Sequence, residues 1–336
     1  MDKFNILLTS AGRRSYLVKY FKKALGSQGR ILTANSVQPY PASYYSDVSL
    51  TVPYGFEPRF EEALIQIVVD HNIRMLFSLH DWEAPYIAAF SKKLKALGSI
   101  PVIAGPGILK ICIDKYATAQ FLQEKGLLFL KTYLTAEEAL KAIARGEINF
   151  PLIIKPRYGQ GSIDLFRVED HRELTGLHEL ILRKTAKVGF GLFPEKDRLI
   201  IQELAQGTEY GLNVLNDLNG KFIKSFTIRK IAMRHGETDS AVVEDHPEIL
   251  QIGQQLGKLL GHPGLLDVDV ILTKKGPTVL ELNPRFGGQY PFFHSAGVNI
   301  PRWLIAHGQG RPPSPTDLNY VQNQTFMKSI DILKIR

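Results

Sequence analysis

The first third of the chain alternates apolar runs with segments of helical periodicity. The largely apolar run at residues 4–9 is typical of a buried strand, and Leu17, Phe21 and Leu25 then recur at helical spacing. Further strands are predicted at residues 75–79 and 101–104, and helices at about residues 58–69 and 84–97. Strands separated by helices of this length indicate βαβ units and a parallel sheet.

The remaining two thirds combine strand and helix signals with capping motifs. Asp114 predicts a helix N-cap, and Thr135 with Glu138 predicts a capping box. The pair Asn219-Gly220 predicts a hairpin turn, and Gly261 is expected to end an amphipathic helix. Strands are expected at residues 151–155, 163–168, 199–202, 265–272 and 278–282.

Together these patterns predict an α/β fold with α+β character in its C-terminal part. Boundaries are expected near residues 110 and 200, which gives predicted domains at 1–110, 111–200 and 201–336. Ligands of parallel sheets bind beyond the carboxyl ends of the strands. Residues 9–14 and 80–83, which directly follow two predicted strands, are therefore candidate ligand-binding segments.

The composition is that of an ordinary globular protein. The 336 residues are 44% hydrophobic and 22% charged, which excludes a disordered or collagen-like chain. No apolar run approaches the roughly 18–20 residues of a membrane span, and the N-terminal one is too short for a signal peptide. The single cysteine, Cys112, excludes a disulfide framework and a Cys-based zinc site, so a cytoplasmic protein is expected.

The charge balance favours an anionic partner. Lys and Arg together number 41 and Asp and Glu 33, a net charge of +8. The basic residues are dispersed, and no nucleic-acid-binding motif is present. A small anionic ligand is therefore expected. The basic isoelectric point, about 9.3, is the only feature that favours nucleic acid as the partner.

Lys155 stands at the end of an apolar strand and is followed at once by a glycine-rich turn. A buried lysine is costly unless it meets a negative partner. Glycines such as Gly159 and Gly161 allow backbone N–H groups to close around phosphate oxygens. This pattern is consistent with a phosphate-binding loop, but taken alone it favours a surface hairpin whose lysine reaches water.

Acidic and amide side chains cluster near the C-terminus. Glu281 and Asn283 share one face of a predicted strand, and Asp269 lies on the preceding strand of the same hairpin. Oxygen donors that converge from adjacent strands suit Mg²⁺, which completes its shell with phosphate oxygens and water. The alternative is that Asp269 and Glu281 point outward into solvent.

A third segment runs from an apolar strand into an acidic residue and a glycine. Glu203 ends this strand, and Gly207 and Glu209 follow. Such a connection suits a purine contacted by backbone groups and a ribose contacted by a carboxylate. Taken alone, the segment favours a plain strand end.

The order of these motifs resembles the ATP-grasp superfamily. The resemblance rests on Asp114-Lys115, then Lys155 with its glycine loop, Gln202-Glu203, Glu209, Asp269, and finally Glu281, Asn283 and Arg285. It is strongest to members similar to the large subunit of carbamoyl-phosphate synthase, which include stand-alone carboxylate–amine ligases. It implies an ATP-grasp fold preceded by a Rossmann-like pre-ATP-grasp domain.

The resemblance also implies a role for each matching residue. Lys115 and Lys155 would contact the ATP phosphates, and the loop formed by Tyr158, Gly159, Gly161 and Ser162 would cover them. Glu203 with the backbone of Leu204 and Ala205 would face adenine, and Glu209 would hold the ribose. Asp269, Glu281 and Asn283 would bind one or two Mg²⁺ (or Mn²⁺) ions. Arg285 would steady the transferred phosphoryl group, with Arg234 near the phosphates.

Two positions depart from the family pattern. Asp164 stands where the family loop often has glycine, so its side chain is expected to affect loop closure. Asp269 is shorter than the residue frequent at its position, which is expected to alter the geometry at the metal.

The resemblance predicts an ADP-forming ligase that joins a carboxylate to an amine through an acyl phosphate. The alternatives are phosphorylation of bicarbonate or carbamate, and a nucleotide-binding module without catalysis. Small-molecule substrates and a homodimer are expected, without nucleic-acid or membrane partners. The substrate candidates are Arg13 and Arg14 for a carboxylate, Asp81 for an amine or a hydroxyl-rich acceptor, and Gly287 with Gly288. A solvated helix start is the alternative for the arginines.

Overall fold

The N-terminal part is built on a parallel sheet of five strands. The computed structural model describes residues 3–159, 161, 163–185 and 198–334. The strands of the first sheet are β1 (Asn5–Thr9), β2 (Ile31–Asn35), β3 (Val48–Thr51), β4 (Ile73–Ser78) and β5 (Ile100–Val102). They are ordered β3-β2-β1-β4-β5, and every pair is parallel, as predicted. The central strand β1 is buried throughout, which accounts for its apolar residues Ile6, Leu7 and Leu8 in succession.

Helices connect these strands. They are α1 (Ser15–Leu25), α2 (Phe60–Asp70), α3 (Ala84–Ala89), α4 (Ser91–Ala96) and α5 (Pro106–Ile113). The prediction of one helix over residues 84–97 is wrong, because the chain forms two short helices that meet at Phe90. Phe90 leaves the helical conformation, and its buried ring packs against Phe60.

The middle part carries a smaller, antiparallel sheet. Its elements are α6 (Lys115–Glu124), β6 (Thr132–Tyr133), α7 (Ala136–Ala144), β7 (Leu152–Pro156), β8 (Phe166–Val168), α8 (His171–Thr185) and β9 (Leu199–Glu203). The strand order is β6-β9-β7-β8. Both predicted caps are confirmed, at Asp114 for α6 and at Thr135 with Glu138 for α7. The strand expected at 163–168 begins only at Phe166, because Asp164 has a positive φ of 54°.

The C-terminal part is an antiparallel sheet of six strands with helices packed on it. Its elements are β10 (Thr208–Asn216), β11 (Phe222–Arg234), β12 (Glu237–Val243), α9 (Pro247–Leu260), β13 (Gly264–Thr273), β14 (Gly276–Asn283), α10 (Tyr290–Ser295), α11 (Ile300–Gly308) and β15 (Gln324–Met327). The strand order is β14-β13-β10-β11-β12-β15. The hairpin between β10 and β11 and the end of α9 at Gly261 are as predicted. The predicted boundary at residue 200 lies inside β9, and the change of sheet follows Glu203.

One apolar core joins the first sheet to the six-stranded sheet. Phe21 of α1 and Phe77 of β4 contact the ring of Phe286, which also packs edge-on against Tyr290 of α10. These four rings are buried within a single cluster. This packing holds the carboxyl ends of the parallel strands next to the segment that follows β14, where the candidate site lies.

Within the described ranges, no helix combines the length and the apolar character that crossing a bilayer requires.

Candidate active site

Lys115 is presented by the N-terminus of α6. Asp114 caps this helix by accepting hydrogen bonds from the backbone N–H groups of Tyr116 and Ala117, which fixes the direction of the first turn. The ammonium of Lys115 is nearly buried; it donates to the carbonyl of Gly159 at 2.6 Å and lies 3.2 Å from Glu281 Oε1. A buried cation is thus held between the glycine loop and β14.

Lys115 and Glu281 line a small cavity of about 50 Å³ together with Lys155 and Gly159. Lys155 comes from β7, and Glu281 comes from β14 of the other sheet. The structure therefore brings together four of the residues selected from the sequence. Two ammonium groups and one carboxylate give the cavity an excess of positive charge, which suits an anion such as phosphate.

The surroundings of Lys155 lower the pKa of its ammonium group. Burial and the neighbouring charge of Lys115 lower the pKa of Lys155 to about 8, although Glu281 and Asp269 oppose the shift. An incoming phosphate would supply the negative partner that favours the charged form.

An ion-pair network ties the start of the glycine loop to α6. The guanidinium of Arg157 donates to both oxygens of Asp114 at 2.7 Å, and the Tyr158 hydroxyl donates to the same carboxylate at 3.3 Å. Sequence reasoning selected Asp114 as a helix cap and as part of the Asp114-Lys115 motif, but assigned no role to Arg157. Of the loop residues, Gln160 and Ser162, a predicted phosphate contact, lie outside the described residues.

The hairpin that joins β11 to β12 touches the same loop. A Cβ on Gly236, whose φ is +73°, would lie 2.4 Å from the carbonyl carbon of Gly161. Only glycine permits this approach. The side chain of Arg234, expected near the phosphates, is largely exposed and lies 3.4 Å from Asp239, so it is on the touching hairpin but not in the lysine cavity.

The acidic residues of the third sheet form facing pairs. Asp269 lies opposite Glu281, and Asp267 lies opposite Asn283 in the β13–β14 register. Sequence reasoning missed Asp267, although its two-residue spacing from Asp269 was a usable signal. It also missed Lys230 of β11, whose ammonium binds Asp269 at 2.5 Å and lies 3.8 Å from Glu209.

Arg285 is buried between two carboxylates. Its Nη2 lies 2.8 Å from Asp81 Oδ2, and its Nη1 lies 3.5 Å from Asp267 Oδ2. Burial opposes ionisation of Asp81, but the guanidinium outweighs it and lowers the pKa of Asp81. At Asp267 the effect of burial exceeds the effect of the Arg285 charge, so the pKa of that carboxyl is raised. Asp81, predicted to contact an amine or a hydroxyl-rich acceptor, pairs with Arg285 in this structure, and its contact with a substrate stays a prediction.

Gly287 is required by this arrangement, because a Cβ there would lie 1.8 Å from Asp267 Oδ2. Gly288 lies nearer to Lys328 and Glu237. Both glycines thus shape the turn after β14.

The donor set around Glu281 fits a hard cation. Asp269 and Glu281 offer carboxylate oxygens, and Asn283 offers an amide oxygen. Lys115 pairs with the carboxylate of Glu281, and Lys230 pairs with that of Asp269. In the described parts of the chain, no three His, Cys, Asp or Glu side chains converge into a metal cluster. A divalent ion held here would take its remaining ligands from phosphate oxygens and water, as Mg²⁺ does.

The residues expected around adenine follow β9. Glu203 accepts from the backbone N–H of Lys131 at 2.9 Å, which pairs this strand end with the chain before β6. Leu204 and Ala205 are half-buried in the connection to β10, and Glu209 is exposed near the start of that strand. Their contact with a nucleotide stays a prediction.

A second cavity, of about 570 Å³, opens at the carboxyl ends of β1, β2 and β4. Arg14 lines it and donates to the carbonyl of Leu79 at 2.8 Å. Arg13, expected to act with Arg14, is exposed and lines a different cavity. The two candidate ligand-binding segments after β1 and β4 do meet in this cavity.

Two protein-family models match consecutive parts of the chain. Residues 6–103, which contain the parallel sheet, match the PylC-like N-terminal domain. Residues 112–289, which contain the glycine loop and the acidic strands, match the ATP-grasp domain. The chain belongs to the ATP-grasp family, so the predicted family and fold class are confirmed.

Known proteins resemble the chain over most of its length. The arginine-specific large chain of carbamoyl phosphate synthase from Bacillus subtilis is 24% identical over 297 residues; the match covers 84% of this chain but 27% of that protein. The chain thus spans about a quarter of this curated relative.

Solved structures share the fold. N5-carboxyaminoimidazole synthetase from Staphylococcus aureus superimposes with a TM-score of 0.73 at 14% identity, covering 97% of this chain and 83% of the other. For the L-amino acid ligase from Bacillus licheniformis the TM-score is 0.68 at 16% identity, with 97% and 80% covered.

Proposed function

We propose that the protein is an ATP-dependent ligase that activates a carboxylate as an acyl phosphate and joins it to an amine, with release of ADP and phosphate. One observation carries the proposal: Lys115, Lys155 and Glu281 converge under the glycine loop, beside the buried Arg285. The names of the similar ligases support the same reaction class.

The side chains of this site supply positioning and charge. Lys115 and Lys155 would bind the phosphates of ATP, and Arg285, held by Asp81 and Asp267, would contact the phosphoryl group as it passes to the carboxylate. Phosphoryl transfer of this kind needs alignment and charge stabilisation and no covalent nucleophile. The amine then attacks the acyl carbon, and phosphate leaves.

Mg²⁺ (or Mn²⁺) would be held by Asp269, Glu281 and Asn283, where it would supply positive charge to the phosphate oxygens. Closure of the glycine loop would exclude water, which otherwise hydrolyses an acyl phosphate. Arg157 and Asp114 would keep the start of this loop in place during closure.

Three finer expectations belong to the same proposal. A cytoplasmic location is supported by the single buried thiol of Cys112, and small-molecule substrates by the cavity at the carboxyl ends of the first sheet. A homodimer is supported by one structure with a similar fold, the biotin carboxylase domain dimer of the 2-oxoglutarate carboxylase from Hydrogenobacter thermophilus.

Trapping with hydroxylamine tests the reaction. The protein is incubated with Mg-ATP, hydroxylamine and pooled carboxylic acids, and ADP and hydroxamates are measured. A hydroxamate formed in step with ADP supports the ligase. ADP release that requires bicarbonate alone would support the second candidate, phosphorylation of bicarbonate, which the similarity to carbamoyl phosphate synthase favours. No ADP with any acid would overturn both.

A further inference from the structure

Lys230 of β11 is buried beside the carboxylates of β13. Its side chain is only 5% exposed, and its ammonium lies 2.5 Å from Asp269 Oδ1 and 3.8 Å from Glu209 Oε2. Burial opposes the charged form of Lys230, but the carboxylates of Asp269 and Glu209 outweigh it and raise its pKa. A positive charge is therefore fixed between the residue expected to hold the ribose and the residues expected to hold Mg²⁺.

Asp269 keeps one carboxylate oxygen free for a metal ion. Its Oδ1 accepts a hydrogen bond from Lys230 and a second one, at 2.8 Å, from the side-chain amide of Gln289. The other end of that amide points to β10, since a Cβ on Gly211 would lie 2.0 Å from Gln289 Oε1. No group within the described residues donates to Asp269 Oδ2. An ion on Oδ1 would have to displace Gln289 and would meet the charge of Lys230, whereas Oδ2 is open to it.

The neighbouring carboxylates are engaged in a similar way. Asp267 Oδ1 accepts from Asn213 at 2.7 Å, and Asp267 Oδ2 lies 3.5 Å from Arg285. Glu281 Oε1 lies 3.2 Å from the ammonium of Lys115. Its Oε2 has no hydrogen-bond or ion-pair partner in the ranges that the structure describes. Asp267 is thus taken up by protein groups, and Glu281 has one oxygen left.

The remaining oxygens suffice for one divalent ion. They are Asp269 Oδ2, Glu281 Oε2 and the side-chain oxygen of Asn283, and the β13–β14 register places all three residues on one face of the sheet. The Asn283 side chain is buried, and it has no hydrogen-bond partner among the described residues. Mg²⁺ takes its oxygen ligands in an octahedron and draws part of them from phosphates and water. Three protein oxygens fit one such ion, and a second ion would have to share them or displace a lysine.

Building on the proposed function, we infer that the protein binds ATP with a single divalent ion and that Lys230 replaces a second cation. The ion would be held by Asp269, Glu281 and Asn283, while the ammonium of Lys230 neutralises the other oxygen of Asp269. Lys230 is thus a positioning residue, because it sets the number of ions by occupying Asp269 Oδ1.

A count of bound Mn²⁺ tests this inference. Mn²⁺ prefers the same oxygen ligands as Mg²⁺, and its unbound form is measured directly by electron paramagnetic resonance. The full chain is titrated with Mn²⁺ in the presence of one equivalent of β,γ-imido-ATP, at a protein concentration well above the dissociation constants. We expect the unchanged protein to bind one Mn²⁺ per chain and Lys230→Met to bind two, since methionine is unbranched and apolar and leaves Asp269 Oδ1 to a metal ion.

Lys224→Met is the matched control. Lys224 lies on the same strand, is half-buried and donates to the carbonyl of Leu318 at 3.0 Å rather than to a carboxylate. Its replacement should leave the count at one. Thermal unfolding shows whether each variant folds, and Lys230→Gln, which also removes the charge, takes the place of a methionine variant that does not. Two ions in the unchanged protein, or one in a folded variant of Lys230, would overturn the inference.

Bound nucleotide is measured by equilibrium dialysis in parallel, so that failure of the ligase can be told from failure of the single-ion site. No bound nucleotide would overturn the proposed function. Bound nucleotide with two Mn²⁺ ions in the unchanged protein would sustain the proposed function and overturn the role of Lys230. Bound nucleotide without any Mn²⁺ would overturn the metal set of Asp269, Glu281 and Asn283 and the inference with it.

Discussion

Glu281 links the cationic and the acidic sides of the candidate site. Its carboxylate lies 3.2 Å from Lys115 and faces Asp269 across the β13–β14 pair. We expect Glu281→Gln to lower ADP formation at least about 100-fold, because the amide keeps the shape but loses the charge that neutralises Lys115 and would bind Mg²⁺. The thermal midpoint should change little, since a quarter of the side chain is exposed.

Steady-state ADP release and thermal unfolding check this expectation. The matched control is Glu62→Gln, an exposed glutamate on α2, which should alter neither quantity. Normal turnover by Glu281→Gln would show that the proposed metal set is wrong.

Lys155 should give ATP binding a pH dependence. Its pKa is lowered to about 8 by burial and by Lys115. Above that pH the free protein loses the charge that attracts phosphate, so the Kd for ATP should rise up to about tenfold per pH unit. In Lys155→Arg the charge persists, and this part of the dependence should vanish. Calorimetric titration between pH 7 and 9.5 measures it.

The free energy of unfolding should increase as the pH rises, whereas the affinity for ATP should decrease. Between pH 8 and about 10.4 the unfolded chain binds a proton that the folded protein has already lost, so this lysine makes the free energy of unfolding rise with pH. A Kd that stays flat across the range would contradict the assigned phosphate contact.

These residues could be selected from the sequence because each signal is local. Lys155 stands between an apolar strand and glycines, and Glu281 alternates with Asn283 on one strand. Lys230 and Arg157 could not be selected, because each is placed at the site by a partner that is distant in the sequence. Lys230 binds Asp269, 39 residues away, and Arg157 binds Asp114, 43 residues away. The pairing of Asp81 with Arg285 was missed for the same reason, because Arg285 lies 204 residues further along the chain.

At the scale of elements, the β11–β12 hairpin acts as a support for the glycine loop. Gly236 has a φ of +73°, and a Cβ there would meet Gly161 at 2.4 Å. Gly236→Ala should therefore displace the loop and raise the KM for ATP several-fold, in addition to the roughly 1–2 kcal/mol that a side chain costs in the left-handed region.

The chain offers a control that isolates the contact. Gly146 has nearly the same φ, +71°, but no atom lies within 4 Å of the point where a Cβ would stand. Gly146→Ala should lose similar stability in urea unfolding while the KM for ATP stays unchanged. Equal KM values in the two variants would mean that the hairpin does not support the loop.

Element prediction followed the strength of the local pattern. Capped helices such as α6 and α7 were identified because their capping motifs consist of residues that are close together in the sequence. The break at Phe90 was missed; Phe90 packs against the ring of Phe60, a tertiary contact that sequence periodicity does not reveal. The edge strand β15 gave no usable signal, since its pairing with β12 depends on the tertiary fold.

At the scale of the whole molecule, the Asp81–Arg285 pair joins the first sheet to the segment after β14. Both side chains are about nine-tenths buried, and Asp81 Oδ1 finds no hydrogen-bond partner in the described parts of the chain. The pair thus adds a buried ion pair to the apolar core that joins these two parts of the chain. The orientation of Arg285 and part of the attachment of the N-terminal part depend on the same carboxylate.

Asp81→Asn should therefore damage stability and catalysis together. Loss of the charge leaves Arg285 buried with Asp267 alone, and breaking a buried pair costs roughly 3–5 kcal/mol. The kcat for ADP release should fall more than the KM for ATP rises, because Arg285 is proposed to act on the transferred phosphoryl group. The control is Glu61→Gln, which removes an exposed ion pair with Lys93 and should cost less than about 1 kcal/mol.

The stability difference between Asp81→Asn and the unchanged protein should also depend on pH. Because Arg285 lowers the pKa of Asp81 in the folded state, the stabilisation is present above the ordinary carboxyl pKa of about 3.9 and is lost as the pH falls through the lowered value. Urea unfolding at pH 7 and at successively lower pH measures the difference. A difference that stays constant down to the lowest pH at which the protein folds would show that the charge of Asp81 does not join the two parts, and that the variant acts through packing alone.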